Sequence, residues 1–114
     1  MKAFKTTFDK NKSFTAEPGY IIDNYLTAEA DLGCSVVRAH LDGKHPLMKN
    51  TSSNKIYYFI KGQAKFFVGD EEFFVNEGDM MTIPKNTIYK FEGKFDAILI
   101  SCPAFNPADY VIYN

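Results

Sequence analysis

Between Gly78 and Gly93 the chain reads GDMMTIPKNTIYKFEG. Two short β-prone runs, Met80 to Ile83 and Ile88 to Phe91, stand on either side of Pro84-Lys85-Asn86. Gly78-Asp79 in front and Glu92-Gly93 behind carry the turn chemistry that reverses a strand. Proline cannot donate to a sheet ladder, so it ends the first run, and Asn86 tolerates positive φ. The runs are too short for helices and are bounded as strands are.

The same grammar repeats outward from this stretch. Upstream, Ser35 to Leu41 (SVVRAHL) runs into Asp42-Gly43, and Ile56 to Ile60 (IYYFI) lies between Lys55 and Lys61, charges that guard a sticky strand. Gly62 opens Gln63 to Val68, and Gly69-Asp70 turns that run into Glu72 to Val75, which reads as a hairpin. Downstream, Ala97 to Cys102 pairs with Ile88 to Phe91 around Glu92-Gly93. Before Cys34 the signals thin out: Glu17-Pro18-Gly19 is a turn, Tyr20 to Tyr25 a strand or its approach, and Thr27 to Asp31 one helical turn at most. Short strands with turns at this spacing predict an all-β sandwich or barrel built of two antiparallel sheets. Residues 1–33 read as an N-terminal arm with the strands that lead into the barrel, and 34–114 as the barrel core, all within one domain.

Composition supports a packed core. The chain has 114 residues, 46% of them hydrophobic, with 11 Phe and 7 Tyr. That suits one domain with large buried rings. Thirteen basic and 14 acidic residues leave a net charge of −1, without the basic block that nucleic acid demands. No apolar run reaches membrane-spanning length, and Met1 to Lys12 lacks a secretory apolar stretch. A cytoplasmic protein with no nucleic-acid or membrane partner is expected. Cys34 and Cys102 are too few for a disulfide framework and read as buried thiols.

The glycines and proline resemble the cupin superfamily at fixed offsets. The end glycines of its first motif fall on Gly43 and Gly62, and in its second motif Gly78 and Pro84 fit, with Asn86 at the second glycine. The resemblance implies a jelly-roll β-barrel. It also implies where metal ligands stand: the paired His places fall on Lys49 and Thr51, the Glu place on Lys55, and the last His place on Tyr89. Ammonium groups repel a cation and Thr is a poor ligand, so no metal and no cofactor are expected. Only His40 and His45 remain in the chain, flanking Asp42-Gly43.

Those substituted places supply the candidate lumen residues. Lys49 reads as a loop lysine turned to solvent. Lys55 divides evenly between a solvated lysine and an anion contact sharing a face with Tyr57 and Phe59. Tyr57 and Tyr89 serve equally as barrel filling or as acids that orient a ligand. Arg38 and His40 share a strand face; apolar Val37, Ala39 and Leu41 on the other face place the pair outside the core. Phe59, Phe66, Phe73, Met81 and Ile83 read as core. Three functions stay open: binding of a small polar or anionic molecule, metal-independent sugar isomerisation or epimerisation by His40 or His45 paired with Tyr57 or Tyr89, and a structural module with a plugged barrel. A homodimer is expected, because a domain this small gains from burying more surface and the Phe-bearing arm has apolar side chains to offer.

Overall fold

The computed structural model describes residues 1–113. Eight strands make up the fold: β1 (Ser13–Glu17), β2 (Tyr20–Leu26), β3 (Ser35–Asn50), β4 (Asn54–Val68), β5 (Glu71–Asn76), β6 (Met80–Ile83), β7 (Tyr89–Cys102) and β8 (Tyr110–Tyr113). Single 3-10 turns at Lys10–Lys12, Ala28–Ala30 and Pro107–Asp109 are the helical pieces among the described residues. None is long and apolar enough to cross a membrane. All pairings are antiparallel, in the order β1-β2-β3-β7-β4-β5, with β6 on β4 and β8 on β3. β7 is central and has β3 and β4 on its two sides. The result is one bent, open sheet curled about a common interior.

Several expected turns are bends instead. The chain does not reverse at Asp42-Gly43, at Gly62 or at Glu92-Gly93; β3, β4 and β7 run straight through them. Glycine supplies positive φ inside a strand as readily as in a turn, and a long strand can bend there. Gly43 faces Gly93, Gly93 also faces Ala64, and Gly62 faces Phe95, so the three long strands fold over along one line. At Gly62 (φ 85°) a Cβ would overlap the Lys94 carbonyl oxygen, and at Gly93 (φ 146°) the Gln63 carbonyl oxygen.

Side-chain parity then decides what faces the interior. On β7 one parity holds throughout, and Tyr89, Phe91, Phe95, Ala97, Leu99 and Ser101 are all buried. On β4 a register shift between Phe59 and Lys61 exchanges the faces: Lys55, Tyr57 and Phe59 point inward, then Ala64 and Phe66. On β3 a shift between His45 and Met48 does the same, so Ala39, Leu41 and His45 are followed by Met48 and Asn50. An extra residue in one strand of a pair inverts every side chain beyond it. Stacked rings fill the middle of the interior, Phe59 on Phe95 at 4.3 Å and Phe66 on Phe91 at 4.9 Å between centroids. Met81 and Ile83 are buried with them, while Phe73 packs from a half-buried position.

Candidate functional site

His45 reaches the interior by the parity of Ala39 and Leu41 and is 3% exposed. Its Nδ1 lies 2.7 Å from the Pro46 carbonyl oxygen. A carbonyl only accepts, so Nδ1 carries the proton and Nε2 keeps its lone pair. The Tyr110 hydroxyl donates to Nε2 at 3.0 Å. Burial lowers the imidazole pKa, against smaller opposing effects of the Pro46 bond and the Glu17 charge. The ring is therefore neutral at pH 7 and presents a base among aromatic walls. Phe91 stacks on it at 4.7 Å and Tyr20 meets it edge-on at 5.0 Å.

Across Phe91 stand Tyr57 and Tyr89, brought together from β4 and β7 with their hydroxyl oxygens 2.6 Å apart. Burial drives both phenols above their ordinary range, and the same holds for Tyr20 and Tyr110. All four keep their protons at neutral pH. One hydroxyl of the Tyr57–Tyr89 pair donates to the other, leaving one proton free to give. A neutral imidazole base and protonated phenols about one buried locus are the two halves of general acid–base catalysis.

Lys55 lies two residues before Tyr57 on the same inner face and is 4% exposed. Its Nζ donates to Ser101 Oγ at 2.7 Å and sits 4.5 Å above the Phe105 ring. Desolvation lowers its pKa to about 8.

The other lumen candidates lie elsewhere. The bulge after His45 gives the inner positions to Met48 and Asn50, so Lys49 is half-buried in the outward row and Thr51 is exposed, its hydroxyl donating to the Asp109 carbonyl at 3.3 Å. Counting along the motif frame does not register a bulge, which alters facing without altering the count. Arg38 and His40 lie on the outer face, where His40 lies between Asp96 (Nδ1 to Oδ1, 2.6 Å) and Asp23 (Nε2 to Oδ2, 2.7 Å), and Arg38 reaches Asp96 at 3.7 Å. The motif places do not fit a metal: two of the four face away, and Lys55 and Tyr89 offer donors rather than lone pairs. Among the described residues no three of His, Cys, Asp or Glu gather as a metal would need. Tyr20 and Tyr110 were not among the sequence candidates, and His45 was one only as an alternative to His40 for the base of a His–Tyr pair. For His45 a signal existed, since the parity of Ala39 and Leu41 extends to it; Tyr20 and Tyr110 lie outside the motif frame and carried none.

No protein-family model matches the chain. It is 31% identical over 112 residues to an uncharacterised protein of Methanocaldococcus jannaschii, an alignment covering 94% of this chain and 90% of that one. Among solved structures it is similar to Streptomyces Pac13, described as a nucleoside dehydratase, with 26% identity and a TM-score of 0.83 over 97% of this chain and 92% of that one. A Tyr-to-Phe variant of Pac13 with uridine superposes at a TM-score of 0.86 and 28% identity, over 100% and 93% of the two chains. Ectoine synthase from P. lautus shares the fold at a TM-score of 0.79 and 14% identity, over 93% and 83%.

Proposed function

The chain belongs to the cupin superfamily, and within it we propose that the protein is an acid–base enzyme that removes water from a nucleoside or a similar hydroxylated sugar without a metal. Small-molecule chemistry is the class of function that the fold and its neighbours support. One observation carries the finer reading: a neutral imidazole, His45, and the bonded phenols of Tyr57 and Tyr89 enclose the same buried ring in a chain that matches a nucleoside dehydratase over nearly its whole length. Tyrosine and histidine are also the residue types replaced in Pac13 variants solved with uridine.

The elimination balances with these groups alone. When the ligand displaces the Tyr110 hydroxyl from it, His45 Nε2 takes a proton from a carbon next to a carbonyl-type group. The C–H electron pair becomes the new double bond, and the neighbouring hydroxyl departs as water with the proton of Tyr57 or Tyr89. The imidazolium proton then returns to the phenolate. Entering ligand hydroxyls replace the Tyr57–Tyr89 bond, so admission costs no unpaired phenol. A cytoplasmic location belongs to the same reading, with Cys34 and Cys102 as free thiols.

Incubation with uridine and its oxidised derivatives, followed by mass spectrometry, tests the reaction. The expected result is loss of one water from at least one compound and no loss with His45→Gln. A panel that neither reacts nor raises the melting temperature would reduce the aromatic interior to a structural core.

A further inference from the structure

Beside the imidazole and the phenols, the interior has a corner lined by hydrogen-bond donors with nothing to receive them. Lys55 has three N–H groups and spends one on Ser101. Among the described residues, no carboxylate comes within 4 Å of its Nζ. Asn50 is 2% exposed, and its Oδ1 accepts from the amides of Ser52 at 3.1 Å and Ser53 at 2.8 Å. Those two bonds fix the orientation of the amide, and its Nδ2 is buried without a partner. Native interiors rarely leave such a donor empty, and a ligand, an ion or an ordered water receives it.

The two groups stand at either end of the short loop that joins β3 to β4. Asn50 caps the loop leading into β4, where Lys55 is the second residue. Buried Ser53 ties that loop to the Pro103 carbonyl at 2.7 Å. Phe105, under the Lys55 amine, packs 5.9 Å from Tyr110. Tyr110 faces Asn50 across β8 and donates to His45. Phe105 and Tyr110 thus link the Lys55 amine to His45 in a chain of contacts.

We propose that Lys55, Ser101 and the Nδ2 of Asn50 form an oxyanion subsite, and that the molecule handled here carries an acidic group seated in it. The proposal rests on the acid–base reading for the rest of the ligand. An ammonium held among apolar neighbours gains most from a counter-charge, and a carboxylate or phosphate supplies acceptors for every spare N–H.

Calorimetric titration with uridine, uridine 5′-carboxylate and uridine 5′-monophosphate, and with glucose and glucuronate, is the test. At least one acid should bind tenfold or more tightly than its neutral counterpart, with the carboxylate and phosphate arms telling which anion fits. The advantage should vanish in Lys55→Met, and the Lys55 ¹⁵Nζ signal of the unaltered protein should shift with that acid, a readout that survives if the variant fails to fold. Uridine binding with no gain from any acid overturns the subsite and leaves the dehydratase reading standing. Glucuronate exceeding glucose while every nucleoside fails overturns the nucleoside and keeps the subsite. No binding by any compound overturns both.

Discussion

The hydroxyl oxygens of Tyr57 and Tyr89 lie 2.6 Å apart inside the barrel, each the only hydrogen-bond partner found for the other among the described residues. The residues are 32 apart in sequence, and β4 and β7 deliver them to the same depth with each phenol 1% exposed.

Removing either hydroxyl strands its partner. Tyr57→Phe and Tyr89→Phe should each cost about 1–3 kcal/mol, the penalty for an unsatisfied buried polar group. The double variant should cost clearly less than the two together, because no orphan remains. Urea unfolding of the four proteins gives the coupling, and strict additivity would contradict it.

His45 sets an acid limit to stability. Its folded pKa lies below the unfolded value, so the unfolded chain binds more protons between the two. Stability from this group is full above the ordinary histidine pKa of about 6.5 and is lost as pH falls through that value toward the folded one. His45→Gln should flatten that part of a pH–melting curve; an unchanged slope would count against a buried neutral ring.

Lys55 works at the alkaline end. Its folded pKa of about 8 lies below the unfolded value of 10.5, so folding carries the full cost of a buried ammonium below pH 8 and sheds it as pH rises toward 10.5. The difference corresponds to about 3 kcal/mol. The buried tyrosines pull the other way above about pH 10, where only unfolded phenols ionise readily. Stability should therefore climb from pH 8 to a maximum between 9 and 10. Lys55→Met should remove the climb and be the more stable protein at pH 7. A flat wild-type curve over that range would show the amine to be hydrated.

The bend glycines should tolerate nothing larger. Gly62→Ala and Gly93→Ala force a Cβ against backbone carbonyls while holding positive φ, and each should cost about 3 kcal/mol or more. Gly33 has open space around it at φ 77°, so Gly33→Ala pays only for its backbone conformation, about 1 kcal/mol. Thermal melts of the three variants give the ranking.

The outer face predicts a homodimer. There Ile100 lies between Val36 and Ile56, and Tyr58, 41% exposed, lies between Ile98 and Met80, 62% exposed. Apolar side chains gathered on a sheet face suit burial against a second copy. Sedimentation should show twice the chain mass of 13.0 kDa, and Tyr58→Glu should halve it. A monomeric wild type would remove the expectation.

Most of the fold was legible because turn chemistry and strand alternation are local. Gly43, Gly62, Gly78 and Pro84 sit at offsets that report cupin geometry, and the strand runs fell where strands formed. Lys55, Tyr57 and Phe59 share the inner face by simple alternation, but the shift between Phe59 and Lys61 separates them from Gly62, so which face that was could not be counted back from the glycine. What the sequence could not determine was whether a glycine reverses a strand or bends it, because both need only positive φ. Nor could it place the two bulges that turned Lys49 and Thr51 outward, since a bulge depends on the register of a partner strand far along the chain. The meeting of His45 with Tyr20 and Tyr110, and of Lys55 with Ser101, required β2, β3, β4, β7 and β8 to close on one interior. Contacts between residues so distant in sequence are set by packing, and only the tertiary structure decides them.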